Sequence, residues 1–259
     1  MDLTKQENSP ELWQGLLPRP RVDGHKYHRG HAAIFAAPEL TGATRLAAVA
    51  CSRVGAGLVT VVAPDNADIY RTTLPEDIMI RETVSDKVTV AVAGSGGISK
   101  SNFDQLLKSR PNIREWVLDA DLLNAEHLQK FPKQKTILTP HVGEFERMFG
   151  PIEKTAAEAV VRASRETETI IVLKSSRTLV ADWNGRLVVN NHTSPYLAKA
   201  GTGDVLAGMI TGLVAQGMPF FEAASAAVWM HGEAGLRIGP GLIAGDIPET
   251  IPGILTDLL

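Results

Sequence analysis

The residues that most clearly point to chemistry are Gly201, Thr202, Gly203 and Asp204, which directly precede the apolar segment 205–213. Glycines at a helix start let backbone N–H groups approach an anion, and the positive end of the helix dipole stabilises its charge. Asp204 could be a plain N-cap, but an N-cap needs no flanking glycines. We therefore expect an anion hole in which the Asp204 carboxylate takes a proton from a substrate hydroxyl.

A second polar cluster, Thr139-Pro-His-Val-Gly-Glu144, follows the short apolar segment 136–138. Its proline stiffens the turn and its glycine permits close approach, which predicts that His141 and Glu144 face a ligand. The alternative is an ordinary helix start, in which Glu144 stabilises the first turn and His141 lies on the surface.

Lys174 ends another apolar segment and is followed by Ser175, Ser176, Arg177 and Thr178. A cation with several hydroxyl and amide donors suits a phosphate-bearing nucleotide. A charged hairpin turn on the surface has the same composition, so the residues alone leave both interpretations open.

Two further polar stretches follow predicted strands. The glycines of Gly94-Ser-Gly-Gly97 fit either a ligand that passes close to the backbone or a tightly packed turn. Asp119 and Asp121 could order a magnesium-bound water network, although for Asp121 we favour capping of a helix over 122–129.

Histidines and the single cysteine do not indicate a metal site. The stretch His25-Lys-Tyr-His-Arg-Gly-His31 has no further Cys or His partner at a recognised metal-ligand spacing, so we expect no metal there. Cys51 lies in a small-residue helix face and is expected to be buried rather than reactive.

Short β-branched segments alternate with segments of helical period, which predicts an α/β protein with a mostly parallel sheet and helices on both faces. Asn184-Gly185 predicts a hairpin and hence a small antiparallel edge. Ligands of such sheets bind beyond the carboxyl ends of the strands, where the polar stretches above begin. The predicted strands are 33–36, 58–62, 88–93, 116–119, 136–138, 170–173, 179–182 and 187–190. The predicted helices are 42–54, 99–109, 121–129, 143–149 and 154–167, followed by an all-helical end from about 203.

The alanine-rich stretch 223–227 suggests close helix packing or a subunit contact, and core packing is the favoured interpretation. His231, further along the same predicted helix, is expected to satisfy a buried hydrogen bond.

Composition restricts the class of protein. The 259 residues are 44% hydrophobic and 21% charged with a net charge of −3, so no basic field exists to hold nucleic acid or an anionic membrane. No run of about 18 apolar residues occurs, and the first residues do not resemble an export signal. We expect a cytoplasmic enzyme acting on small molecules, with an extended lead-in over 1–24 and one catalytic domain over 25–259.

Several stretches together resemble the ADP- or ATP-dependent NAD(P)H-hydrate dehydratases, which are relatives of ribokinase. The resemblance spans about residues 25–250 and implies a ribokinase-like fold, in the stand-alone form without the epimerase domain that some relatives carry. The stretches that carry it are Gly201-Thr-Gly-Asp-Val-Leu-Ala-Gly-Met-Ile210, Thr41-Gly-Ala43, Val117-Leu-Asp-Ala-Asp121, Leu138-Thr-Pro-His-Val-Gly-Glu-Phe145, Leu173-Lys174, Leu197-Ala198 and His231-Gly-Glu-Ala-Gly235.

The resemblance implies dehydration of the hydrated (S-epimer) forms of NADH and NADPH with ADP or ATP and Mg²⁺. In that scheme Asp204 is the base that starts phosphorylation of the ring hydroxyl, and phosphate elimination follows. Asp204 then also contacts the hydrated dinucleotide, together with Gly42, Ala43, Gly96 and His141. The adenine nucleotide is assigned to Lys174, Ser175, Ser176, Arg177 and Thr178, with Gly201, Thr202 and Gly203.

The resemblance also places Glu144 near the metal and the phosphates, and the basic stretch before residue 31 near the phosphates of the dinucleotide. The protein is expected to be a homo-oligomer. The chain departs from the family pattern where Ser95 and Gly97 replace Pro and Leu, and where Ser175 replaces Gly. These departures predict a looser loop at 94–97 and a changed backbone approach at position 175.

Two other functions fit the same residues. A ribokinase-like kinase acting on a vitamin-precursor alcohol would use the same glycine-framed aspartate, although the stretches around Asp119 and His141 favour the dehydratase. A nucleotide-binding relative that has lost catalytic turnover would explain the altered loops. Such a protein, however, would have no catalytic need for Asp204, which this chain retains.

Overall fold

Ten strands form one continuous sheet in the computed structural model, which describes residues 5–259. The strand order is β1-β10-β9-β8-β7-β6-β5-β2-β3-β4. The strands are Lys5–Glu7 (β1), His31–Phe35 (β2), Leu58–Val62 (β3), Ile78–Arg81 (β4), Val90–Ala93 (β5), Glu115–Leu118 (β6), Thr136–Leu138 (β7), Ile170–Leu173 (β8), Thr178–Ala181 (β9) and Leu187–Asn190 (β10). The helices are Thr41–Arg53 (α1), Ala67–Thr73 (α2), Lys100–Ser109 (α3), Ala125–Leu128 (α4), Val142–Phe149 (α5), Ala156–Thr167 (α6), Thr202–Ala215 (α7), Phe220–Ile238 (α8) and Asp246–Leu258 (α9).

Seven neighbouring strands, from β8 through β4, run parallel to one another. β9 is antiparallel to both β8 and β10, as the Asn184-Gly185 turn predicted, and β1 pairs parallel to β10 at the edge. The mostly parallel sheet with a small antiparallel edge that was expected from the sequence is therefore confirmed. Because parallel strands share one direction, seven carboxyl ends meet at the same edge of the sheet.

Alternating side chains of the strands enter two apolar layers, one on each face of the sheet. In β2, Ile34 packs in the layer with α1, α7, α8 and α9, whereas Phe35 packs in the layer with α3, α5 and α6. The inner strands, such as β2 and β5, are thus buried on both faces, which explains their nearly continuous apolar sequences.

Helices α1 and α7 pack at backbone distance because α7 carries glycine where the two helices cross. A Cβ atom at Gly208 would overlap the backbone carbonyl of Ala47, and one at Gly212 would lie 2.6 Å from the carbonyl oxygen of Cys51. Cys51 itself is fully buried in this seam, as predicted. The two helices therefore hold each other in a fixed position.

Differences from the predicted elements occur where the sequence is polar. The predicted helix 121–129 is wrong: a 3₁₀ turn over Ala120–Leu122 precedes the short α4, because Ala120 has a positive φ of 43° and Asn124 starts the helix. The strand β4 and the helix α2 were not predicted. β4 is partly exposed, which weakens its apolar pattern.

Part of the predicted lead-in packs on the domain. β1 pairs with β10, and Trp13, 1% exposed, lies 5.8 Å from the ring of Trp229 in α8. The residues before Lys5 lie outside the described range. The boundary at residue 24 between the lead-in and the catalytic domain stays a prediction. None of the helices between residues 5 and 259 is long and apolar enough to span a bilayer.

Candidate active site

Polar loops follow β5, β6, β7 and β8 at the shared carboxyl edge of the sheet, and the first turns of α1 and α7 lie beside them. The glycine turn 94–97 follows β5, Asp119 follows β6, Thr139 follows β7 and Lys174 follows β8. The edge that was expected to hold the ligand therefore carries the polar residues singled out in the sequence.

The Asp119 carboxylate is the buried centre of this edge. It is 4% exposed and accepts hydrogen bonds from Ser95 Oγ at 3.0 Å, Thr139 Oγ1 at 2.8 Å and Lys174 Nζ at 2.9 Å. The three donors, one of them a cation, satisfy the hydrogen-bonding capacity of this buried carboxyl group. Asp119 thus holds the Lys174 ammonium group in one place.

Asp204 is the third residue of α7, whose N-cap is Gly201 at φ +92°. No side chain caps this helix start, so the interpretation of Asp204 as an N-cap is wrong. Burial raises the pKa of the Asp204 carboxyl to about 6, and the negative Asp119 adds to the effect, while Lys174, Ser95 and the Asp204 N–H oppose it. A carboxylate with this proton affinity is suited to accept a proton near neutral pH.

Lys174 lies at the start of α7, opposite Gly203. A Cβ atom at Gly203 would be 3.3 Å from Lys174 Nζ, so a larger residue there would crowd the ammonium group. A cation and the N–H groups of a helix start both favour an anion, and here they converge. This corner can therefore bind a phosphoryl group beside Asp204.

The turn 94–97 is packed against α1 and against the loop after β6. A Cβ atom at Gly96, where φ is +73°, would lie 2.7 Å from the Cβ of Ala43, and one at Gly94 would overlap the carbonyl oxygen of Asp119. Ser95 is only 3% exposed. The turn thus fills the space between two other elements of the site, and its looseness relative to the family pattern stays a prediction.

His141 and Glu144 form a capping box at the start of α5. The Glu144 N–H donates to His141 Nδ1 at 3.2 Å, and the His141 N–H donates to Glu144 Oε2 at 2.8 Å. This is the geometry of the alternative interpretation. The His141 side chain is nevertheless 56% exposed and its loop is joined to β8 by the Lys174 N–H to Pro140 carbonyl bond of 2.8 Å. It is accessible to a ligand at this edge.

The loop after Lys174 is exposed and closed by its own hydrogen bonds. Ser175 Oγ donates to the Arg177 carbonyl at 2.8 Å, Thr178 Oγ1 donates to the Ser175 carbonyl at 3.2 Å, and Arg177 Nε donates to Asn191 Oδ1 at 2.9 Å. Ser176 is exposed as well. The Arg177 guanidinium is thus directed toward Asn191, away from Asp119.

The protein donors do not form a metal cage by themselves. Within residues 5–259, no three His, Cys, Asp or Glu side chains are close enough together to hold one ion. Both oxygens of Asp119 accept hydrogen bonds, and Glu144 is 8% exposed within its capping box.

Asp121 does not cap a helix as predicted, because the side chain of Asn124 accepts the hydrogen bond from His127 N–H at the start of α4.

The basic stretch before β2 lies at the opposite edge of the sheet. Gly30 packs against the carbonyl of Ala215, the last residue of α7, whereas Asp204 is in its first turn. With a rise of 1.5 Å per residue, Asp204 and Ala215 are roughly 17 Å apart along α7. The basic stretch therefore lies away from Asp204 within the chain, and its position near the phosphates of the dinucleotide stays a prediction.

The interpretations of α8 are confirmed. Its alanines from 223 to 227 are fully buried in the core. His231 shares a hydrogen bond of 2.9 Å between Nε2 and the carbonyl oxygen of Thr202, and burial lowers the pKa of its imidazole to about 4. The neutral ring thus donates to the first residue of α7 and steadies the helix start.

Two residues of the network, Ser95 and Thr139, were not assigned a role from the sequence, and Asp119 was considered only for a magnesium-bound water network. The available signal was their position, since each follows a buried strand within two residues. Sequence indicated that they lie at one edge, but not which side chains meet there.

Solved structures define the class of this fold. A ribokinase-like superfamily protein from Enterococcus faecalis superposes on the whole chain with a TM-score of 0.85 at 22% identity, and 98% of that chain is covered. The protein therefore has the ribokinase-like fold.

The family follows from sequence. Residues 34–251 match the NAD(P)H-hydrate dehydratase family, and the chain belongs to it. An ADP-dependent (S)-NAD(P)H-hydrate dehydratase from Neisseria meningitidis is 32% identical over 93% of this chain and 92% of its own length. The ADP/ATP-dependent NAD(P)H-hydrate dehydratase from Bacillus subtilis, co-crystallised with ATP and Mg²⁺, has a TM-score of 0.86 at 26% identity, with both chains fully covered.

Other curated relatives are longer. A bifunctional NAD(P)H-hydrate repair enzyme from Moorella thermoacetica is 31% identical over 93% of this chain, which spans only 52% of that enzyme. The chain thus spans about half the length of several curated relatives that it matches.

Proposed function

We propose that the protein uses ADP or ATP to dehydrate hydrated NADH and NADPH, which returns them to NADH and NADPH. The observation that carries this proposal is the Asp204 carboxyl, held at a pKa of about 6 beside the Lys174 ammonium group and the start of α7. A base and an anion hole at the same corner are what transfer of a phosphoryl group to a hydroxyl requires. Family membership supplies the substrate class.

Asp204 removes the proton from the hydroxyl group of the hydrated nicotinamide ring. The resulting oxygen bonds to the terminal phosphorus of the nucleotide, while the bond from that phosphorus to the leaving nucleotide oxygen breaks. Phosphate then leaves the ring carbon with its electron pair, a proton leaves the neighbouring carbon, and the ring double bond is restored. Phosphate is a far better leaving group than water, which explains why dehydration is coupled to a nucleotide.

Lys174 and the N–H groups of Gly201, Thr202 and Gly203 are assigned to the phosphates of the nucleotide, and the exposed loop 175–178 to the rest of it. The convergence of cation and helix dipole supports the first assignment. Gly42, Ala43, Gly96 and His141 are assigned to the hydrated dinucleotide, because they surround the same edge.

Mg²⁺ is assigned to the nucleotide phosphates with water as its remaining ligands. The described side chains do not offer a complete ligand set, and Mg²⁺ is commonly bound through substrate phosphates rather than by a protein cage. Glu144 keeps at most an indirect role, through the loop that carries His141. The ion would neutralise charge on the phosphates.

The direct test is recovery of the NADH absorbance band when purified protein is mixed with hydrated NADH, ADP or ATP, and Mg²⁺. Recovery that requires nucleotide supports the proposal, and no recovery with either nucleotide contradicts it. Hydrated NADPH in parallel measures dinucleotide preference.

We also propose a cytoplasmic homo-oligomer, since NADH and NADPH turn over in the cytoplasm and family members share this fold over the whole chain. The alanines of α8 are not its interface, because they are buried within one chain. Light scattering of the purified protein measures the subunit number, and a monomer at cellular concentration would contradict this proposal.

A further inference from the structure

The β10–α7 segment, residues 191–201, connects the two groups of residues that are assigned to the nucleotide. At its first residue, Asn191 Oδ1 accepts a hydrogen bond of 2.9 Å from Arg177 Nε, in the loop after Lys174. Its last residue, Gly201, is the N-cap of α7, where the phosphates are assigned. A shift of this segment would therefore move both parts of the nucleotide site.

The β10–α7 segment lies on α8 at backbone distance. A Cβ atom at Gly232 would overlap the carbonyl oxygen of His192, and one at Gly235 would lie 2.7 Å from Leu197 Cγ. The same helix holds the first residue of α7 through the hydrogen bond of His231. The support that α8 gives therefore extends from the start of the segment to its end.

His192 adds a side-chain contact to this support. Its ring stacks on the indole of Trp229, with ring centroids 4.4 Å apart and planes inclined by 7°. Its Nε2 shares a hydrogen bond of 2.8 Å with Glu233 Oε2, and Glu233 Oε1 accepts a second one of 2.7 Å from Arg237 Nε. A ring that is held both by stacking and by a fixed carboxyl group has little freedom to move, and His192 directly follows Asn191.

We propose that His192 is a positioning residue for the nucleotide: its contacts with α8, the His192 clamp, hold the β10–α7 segment so that Arg177 and Gly201 keep the separation that the nucleotide spans. This inference rests on the proposed function, in which both groups of residues bind the nucleotide. His192 is not itself assigned to a ligand and acts through the two ends of the segment.

The clamp should affect nucleotide binding more than the chemical step, because α7 has a second support. Gly208 and Gly212 hold α7 against α1 at backbone distance, so Asp204 keeps its place when the clamp is lost. The residues assigned to the hydrated dinucleotide also lie outside the segment. Loss of the clamp should therefore raise the nucleotide KM and leave kcat nearly unchanged.

The test is steady-state kinetics of the full-length enzyme and its His192→Ala variant, with hydrated NADH saturating and ATP or ADP varied. We expect the nucleotide KM to rise about threefold to tenfold, while kcat and the KM of hydrated NADH change less than about twofold. His192→Phe, which keeps a stacked ring but loses the hydrogen bond, should recover part of the loss. An unchanged nucleotide KM, or equal changes in kcat and in both KM values, would mean a merely structural contact and overturn the proposal.

His127→Ala is the matched control, because His127 makes the same kinds of contact at α4, away from the β10–α7 segment. Its ring centroid lies 4.8 Å from that of Phe103, and its Nδ1 is 2.7 Å from Asn124 Nδ2. The nucleotide KM of this variant should match that of the wild type. A rise comparable to that of His192→Ala would show that loss of any such ring contact weakens nucleotide binding, and the proposal would fail.

Glu233→Ala removes the other half of the hydrogen bond. If His192 and Glu233 act as one clamp, the double variant should bind the nucleotide no more weakly than His192→Ala alone. Losses that add in the double variant would mean that the two side chains act separately, which contradicts the proposal.

Calorimetric titration with ATP and Mg²⁺ measures the nucleotide affinity without turnover and separates this inference from the proposed function. If hydrated NADH is not turned over by the wild-type enzyme, the proposed function fails. A weaker affinity for ATP in His192→Ala than in the wild type would still support the clamp, and an equal affinity would still contradict it.

Discussion

The parallel strands end at the carboxyl edge of the sheet and begin at its amino edge, and these two edges hold polar residues in opposite ways. At the carboxyl edge, Ser95, Asp119, Thr139 and Lys174 are joined by hydrogen bonds with little open space between them. At the amino edge, a cavity of about 610 Å³ near Arg29 is lined by both apolar and polar side chains. Two pairs line it, in which Arg53 binds Glu249 and Ser52 donates to Asp77.

This cavity is therefore not where the unusual chemistry is. The size of a cavity reflects how helix ends and loops pack against each other. A buried carboxyl group with a raised pKa, by contrast, destabilises the folded protein, and folding alone does not require such a group. His31, a buried titratable residue of the amino edge, shares a hydrogen bond of 2.8 Å with Thr60 through Nε2. The predictions below test whether function is confined to the carboxyl edge.

The largest effect is expected from Asp204→Asn, which removes the base and keeps its size. We expect kcat to fall roughly 10²–10⁴-fold with nucleotide affinity nearly unchanged, measured by absorbance recovery and calorimetry. The matched control is Asp77→Asn at the amino edge, which should retain activity. Comparable losses in both variants would remove the distinction between the two edges.

The next effect concerns the cation at the start of α7. Lys174→Gln can still donate a hydrogen bond to Asp119 but loses its charge, so the nucleotide KM should rise by about tenfold to a hundredfold. Lys26→Gln, in the basic stretch of the amino edge, should change this KM less than twofold. A large effect at Lys26 would show that the amino edge also takes part in nucleotide binding.

The dependence of kcat/KM on pH in the wild-type enzyme should report the protonation state of Asp204. Because its pKa is raised to about 6, the carboxylate is lost as pH falls through 6, and kcat/KM should decline about tenfold for each further pH unit. An acid limb near pH 4, where an ordinary aspartate titrates, would contradict the assignment.

The smallest effect is on stability and has the opposite sign to the effect on activity. The pKa of Asp204 is higher in the folded protein than in the unfolded chain, because the folded protein favours the protonated carboxyl group. The stability of the folded protein therefore falls as the pH rises through about 6 and Asp204 ionises in its buried site. Asp204→Asn should therefore be more stable than wild type by roughly 1–3 kcal/mol at pH 8, and this gain should vanish below about pH 4. Thermal unfolding at both pH values measures it.

Much of the fold could be predicted because its strands are buried on both faces. Apolar segments such as 58–62 and 170–173 match the observed strands residue for residue. The missed strand Lys5–Glu7 consists of exposed polar residues and is held by backbone pairing to β10, which leaves no pattern in its side chains.

The site could be predicted at the level of its edge and its base, but not at the level of contacts. Asp204 was identified because glycines surround it, whereas Asp119 and Ser95 meet only because β5 and β6 are neighbours in the folded sheet. Proximity between residues 24 positions apart is a property of topology that single-sequence patterns do not encode.

The close seam between α1 and α7 limits how the enzyme can move during turnover. The first turn of one helix carries Gly42 and Ala43 and that of the other carries Asp204, and backbone contact at Gly208 and Gly212 joins them into one rigid body. Even a single methyl group added at Gly208 would therefore displace Asp204 relative to the first turn of α1.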